Sequence, residues 1–146
     1  MNHFVGTLSF KKNKSIGLST DTVYEIIDGQ QRITTLFILL KILIDKIEKK
    51  DVRESQLSTF IGTKDNLKLQ PLGEDGSFLK RLLFDFEDID KENINKRSQR
   101  FMYSASKLFS AFANPLSSSE IEERIIFIRD RIEVLVFKVE NQAQAG

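Results

Sequence analysis

The chain has no cysteine and no tryptophan, and among its 146 residues there are one histidine and two prolines. Without cysteine there are no disulfides and no thiolate metal sites. The single histidine, His3, leaves too little material for a zinc centre or a histidine-based triad, and a lone histidine near a terminus is ordinarily a surface residue. An excess of one charge is missing too, since 22 basic residues face 21 acidic ones for a net charge of +1. That balance excludes a protein that coats nucleic acid non-specifically, so any such contact must use a local patch. Long apolar runs are absent: residues 36–44, interrupted by Lys41, are too few to span a bilayer. No basic flank followed by an apolar core marks the start as a signal peptide. A cytoplasmic protein with no membrane contact is expected. Neither internal repeats nor low-complexity segments are visible.

What is present suits a folded core. Apolar residues make up 40% of the chain and twelve are phenylalanine, enough to build one domain at this length. The most informative stretch is Asp28-Gly29-Gln30-Gln31-Arg32. Before it, Val23-Tyr24-Glu25-Ile26-Ile27 is β-branched and aromatic and reads as a strand. After it, apolar residues at 33, 36, 37, 40, 43, 44 and 47 follow helical spacing. A strand-to-helix turn with an acid, a glycine and polar donors suits a phosphate, because the first helical N–H groups are free and the helix dipole favours an anion. At about 100° per residue, Asp28, Gln31, Arg32 and Thr35 share one flank of the helix entrance. The same residues also fit a simple cap, with Asp28 bonding the Gln31 N–H and Gln31 reaching back. The two readings are compatible and both stay open.

The remaining pattern is α+β. Residues 4–10 and 24–27 form an antiparallel ribbon across a polar loop containing Gly17, and a long helix follows from about Gly29 to Lys50. Its centre, Leu36-Phe37-Ile38-Leu39-Leu40, is apolar on nearly every side, as in an enclosed helix. Lys46, Lys49 and Lys50 complement its C-terminal dipole. Residues 66–71 read as a short strand, and 77–84 as a short helix with Phe78, Leu79 and Leu82 inward. The acidic stretch 85–90 lacks the glycine-turn spacing of a calcium loop and reads as a solvated loop. A helix over 94–112 places Phe101, Ala105, Leu108, Phe109 and Phe112 inward, with Lys96, Arg97, Arg100 and Lys107 opposite on a solvated face. Asn114-Pro115 ends it. Ser119-Glu120-Ile121-Glu122 reads as a capping box opening a helix with Ile121, Ile125, Ile128 and Ile132 inward. Residues 134–139 are the best strand candidate.

Two segments carry a resemblance: His3-Phe4-Val5-Gly6-Thr7-Leu8, and Tyr24-Glu25-Ile26-Ile27 running through the pentapeptide into Ile33-Thr34-Thr35-Leu36. Together they resemble the ParB-like domain with the Asp-Gly-Gln-Gln-Arg motif at the N-terminus of GmrSD-type modification-dependent restriction enzymes. The resemblance covers the whole chain. It implies a small α+β fold shared with ParB and sulfiredoxin, with a mixed sheet, a long buried helix after the motif and a helical elaboration. It also implies binding of a nucleoside triphosphate with magnesium, used to license DNA cleavage in a restriction or phage-defence system. The cutting itself belongs to an HNH nuclease domain of the full-length enzyme or of a partner, so DNA is met through that assembly.

Carried over by residue, Asp28, Gln30, Gln31 and Arg32 are the catalytic candidates, and Gly29, Arg32, Thr34 and Thr35 the nucleotide contacts. Arg32 suits phosphate because its fork pairs two oxygens. The roles come from chemistry and not from the resemblance: Asp28 would hold a magnesium-bound water or cap the helix, and Gln30 or Gln31 would orient an attacking water. The upstream segment with a Tyr-Gln-Arg motif, the segment after the last strand and the HNH domain have no counterpart here, so a single partial domain over 1–146 is expected. Whether such a piece hydrolyses nucleotide is left open; the alternative is a non-catalytic remnant acting as an assembly or regulatory module. Exposed core surface would let it oligomerise. Direct DNA cleavage needs clustered carboxylates holding metal, and only Asp28 and Glu25 lie near the motif.

Overall fold

A computed structural model describes residues 6–11, 21–26, 30–71 and 73–145, with side chains over 32–71 and 73–133. Strands β1 (Gly6–Lys11) and β2 (Asp21–Ile26) pair antiparallel, from Gly6 opposite Ile26 to Lys11 opposite Asp21. On the other edge of β1 lies β5 (Leu69–Pro71), also antiparallel, which gives the order β2-β1-β5. Pro71 ends an edge strand, where its missing N–H breaks no ladder. A hairpin of β3 (Gly62–Thr63) and β4 (Asn66–Leu67) stands apart. The α+β class is as expected. The described pairings are antiparallel throughout, where a mixed sheet was expected.

The single strand expected over 66–71 is divided at Lys68, whose N–H donates to the Ile61 carbonyl at 2.9 Å in the register of the hairpin. Its first half closes the hairpin and its second half joins the main sheet. Gly62 makes that corner, with φ of 95° and no room for a Cβ against the Asn66 carbonyl oxygen.

Helix α1 (Gln30–Asp45) is the axis of the molecule. Ile33, Phe37, Ile38, Leu40, Leu43 and Ile44 are buried, and Leu36, Leu39 and Ile42 pack on them from the sides. Its enclosure was expected, its length was not: it stops five residues short of Lys50. Tight bonds from the Lys46 N–H to the Leu43 carbonyl and from the Ile47 N–H to the Ile44 carbonyl, both 3.0 Å, close it. Arg53 of helix α2 (Lys50–Gln56) donates to the Ile47 carbonyl at 2.9 Å. Within a π-helical turn, Leu57–Ile61, only Ile61 is buried.

Helix α3 (Glu74–Phe84) buries Phe78, Leu79 and Leu82, as expected, and Leu83 as well, and starts three residues before the expected point. Gly76 permits this, because a Cβ there would strike the Pro71 carbonyl at the end of β5. Two short 3-10 turns, Phe86–Asp88 and Lys91–Asn93, lead to helix α4 (Arg97–Ala113). Asp75 ties α3 to α4 by accepting from Ser98 Oγ at 3.0 Å and Gln99 Nε2 at 3.2 Å.

The face assigned to α4 from sequence is corrected. Met102, Ser106 and Ala113 are the buried residues, Phe109 is partly buried, and Phe101, Leu108 and Phe112 are exposed. Apolar residues occupy a continuous arc of about 140° around this helix, and the core covers only one side of it.

Helix α5 (Ser118–Ala145) buries Ile121, Ile125, Ile128 and Ile132 against the core, as expected. Its capping box lies two residues earlier than Ser119 and Glu122. The Ser117 N–H donates to Glu120 Oε1 at 3.1 Å, and the Glu120 N–H donates to Ser117 Oγ at 3.3 Å. Leu116 and Ile121 then occupy the two positions of a hydrophobic staple, and both pack into the core. The strand expected over 134–139 is also corrected, since those residues continue α5. Leu135 and Val139 extend the spacing of Ile128 and Ile132. Strand preference in β-branched residues depends on a sheet being there to receive them.

Candidate functional site

The mouth of α1 is where chemistry-bearing residues collect. β2 ends at Ile26 and α1 begins at Gln30, and residues 27–29 lie between them. Asp28 and Gly29 lie outside the described residues. Gln30 and Gln31 are the first two residues of the helix, so their N–H groups are among those left free by helix geometry.

Arg32 is exposed, in the first turn of a helix that is otherwise largely enclosed. Among the described residues no carboxylate pairs with it and no carbonyl accepts from it. Thr35 is half-buried and takes part in an interaction within the fold. At about 100° per residue it stands roughly 60° from Arg32, on the same side of the axis.

Thr34 is separated from this pair. It lies about 160° round from Arg32, is 4% exposed, and its Oγ1 has no hydrogen-bond partner among the described residues. Its register position shares a side of α1 with Phe37, Ile38 and Lys41. The expected contact residues therefore divide: Arg32 and Thr35 sit toward the mouth, and Thr34 turns into the core.

Sequence reading passed over the other unusual group of this helix. Lys41 is buried, donates to Asp45 at 2.5 Å, and sits 5.2 Å from the centre of the Phe84 ring. Its one signal was a cation inside an apolar run. The Asp45 carboxylate and the negative face of the ring replace the water that its ammonium loses.

Elsewhere the acidic stretch is engaged structurally. Asp85 pairs with Lys64 at 2.5 Å, and this carboxylate raises the lysine's proton affinity. Asp90 accepts from the Glu92 N–H at 3.1 Å and from Asn93 Nδ2 at 2.6 Å. Lys96 pairs with Glu74 at 2.8 Å; the bond pulls the Glu74 carboxyl below its ordinary range and pushes the lysine up. Among the described residues no group of three or more histidine, cysteine or carboxylate side chains stands ready for a metal ion. Nor is any helix among them long and apolar enough to cross a membrane.

Comparison with known proteins gives one match. The family model described as the GmrSD restriction endonuclease, N-terminal domain, matches residues 1–145. No curated protein and no solved structure matches the chain.

Proposed function

Because the chain belongs to the family of GmrSD restriction endonuclease N-terminal domains, we propose that the mouth of α1 binds a nucleoside triphosphate as part of a restriction system directed at DNA. The observation that carries this reading is Arg32. A guanidinium exposed beside free helical N–H groups, with no carboxylate among the described residues to neutralise it, is the arrangement that receives phosphate oxygens.

Arg32 supplies the charge and the paired donors. Backbone N–H groups of the first turn would supply the remaining bonds, and Gln30 or Gln31 would orient an attacking water. Magnesium, when present, supplies charge neutralisation at the phosphates. With no cluster of ligands among the described residues, its bonds would come mainly from phosphate oxygens and water, and Asp28 is the motif's one carboxylate for a bound water. Cleavage of DNA is assigned to an HNH nuclease in the same assembly, and the bound nucleotide licenses it as part of phage defence.

Isothermal titration of the chain with magnesium complexes of each common nucleoside triphosphate tests this. One-site binding is expected, at least about tenfold weaker in Arg32→Ala. Thr34→Val should bind as the parent does, because its hydroxyl faces away from the mouth. The absence of heat with every nucleotide, or unchanged binding in Arg32→Ala, refutes the proposal.

A further inference from the structure

The stripe on α4 that the fold leaves uncovered is a second feature with no role in nucleotide binding. Phe101, Leu108 and Phe112 are 47%, 68% and 44% exposed, and Ala105 lies between them on the same line. Measured from Phe101, Leu108 and Phe112 fall within about 20° and Ala105 about 40° away, so the four make one ridge about 16 Å long. Apolar groups scattered singly over a surface need no explanation. A continuous ridge of three helical turns does.

Charge marks one edge of the ridge. α4 carries Arg97, Arg100 and Lys107 and not one acidic residue. All three are exposed and fall on the same flank. At the far end the Arg124 guanidinium of α5 lies 5.8 Å from the centre of the Phe112 ring. Glu74 and Asp75, at the start of α3, are engaged by Lys96, Ser98 and Gln99.

From this juxtaposition we infer that the Phe101–Leu108–Phe112 ridge is a docking surface for an amphipathic helix of another polypeptide, one whose apolar stripe is flanked by aspartate or glutamate. A helix offers apolar side chains at i, i+4 and i+7, which match the ridge in spacing and length. Carboxylates beside that stripe meet the cationic flank and fix the register. A second copy of this chain fits poorly, because α4 has no carboxylate to offer and ridge-on-ridge pairing would bring its cations together. Nucleic acid fits poorly as well. Leu108, the most exposed of the three, has no π-face for a base, and the cations line one edge only.

Fluorescence anisotropy with the full chain tests the inference, using a labelled three-heptad helical peptide with a leucine stripe and glutamate flanks. Controls are the same peptide with lysine flanks, a DNA duplex and a DNA single strand. The glutamate peptide should bind at least about tenfold more tightly than the lysine peptide. Leu108→Asp should weaken it at least about tenfold. Ile126→Asp, on the flank of α5 away from Arg124, should change nothing. Arg97→Glu combined with Arg100→Glu and Lys107→Glu should reverse the preference to the lysine peptide, a result that no loss of folding can produce. Equal binding of both peptides, indifference to Leu108→Asp, tighter binding of either DNA, or a dimer of the free chain that Leu108→Asp abolishes would each overturn the inference.

Discussion

Helices α1 and α4 are similar in length and similarly rich in apolar residues, and the fold treats them in opposite ways. α1 is enclosed by the helices and strands around it, so Phe37, Leu43 and Ile44 have essentially no contact with water. α4 has the core on one side only, and Leu108 keeps most of its surface wet. The lesson is that apolar content states how much surface a helix can bury, and the neighbours decide how much it does bury. One helix is committed to the fold, and the other retains apolar surface to offer elsewhere.

The sharpest way to break the comparison is truncation on each helix. Phe37→Ala should cost about 3–5 kcal/mol through lost burial and a cavity, whereas Leu108→Ala should stay within about 0.5 kcal/mol of the parent. Urea unfolding with an unchanged denaturant slope reads both values. A large loss at Leu108 would mean that the ridge is part of the core. The next effect lies inside α1. Asp45→Ala strips the buried Lys41 ammonium of its partner and should cost about 1–3 kcal/mol. Lys41→Met, which fills the same space without a charge, should be close to neutral by the same measurement.

Smaller still is Thr34→Val, which removes a buried hydroxyl with no hydrogen-bond partner among the described residues. A gain of about 1 kcal/mol is expected from avoiding that uncompensated desolvation, and a loss would reveal an unseen partner. The smallest effect is a pH dependence at the start of α5. Hydrogen bonds from the Ser117 backbone and side chain hold the Glu120 carboxyl below its ordinary value of 4.5. A depressed carboxylate stabilises the fold above its unfolded pKa, and this contribution fades as the pH falls through the lower folded value. A slight drop in thermal midpoint should therefore appear below about pH 4.5, and Glu120→Gln should remove that component.

Legibility in the sequence followed the number of neighbours each residue needs. The isoleucine line of α5 and the inward face of α3 were readable, because one apolar stripe met one core. The arc of α4 was too broad for that inference: Phe101 and Met102 are adjacent and equally apolar, and only packing against α1 and α3 selects Met102. Residues 134–139 misled for a related reason. Their branched side chains fit a sheet or a helix, and the helix already running from Ser118 carries them along. At the candidate site, the helix start and the exposed Arg32 were legible from the motif. The separation of Thr34 from Thr35 follows from helical rotation, and the burial of Thr34 only from what packs against it.

By itself the amino-acid order determined that a helix begins within the Asp-Gly-Gln-Gln-Arg motif, that it is apolar enough to be enclosed, and that capping residues start α5 near Ser117. These are local properties, set by backbone geometry and side-chain spacing within a few residues. The tertiary structure alone decided where α1 stops, how residues 66–71 are shared between two sheets, and which half of the α4 arc meets water. Those outcomes depend on contacts between segments distant in the chain, where burial free energy outweighs local preference.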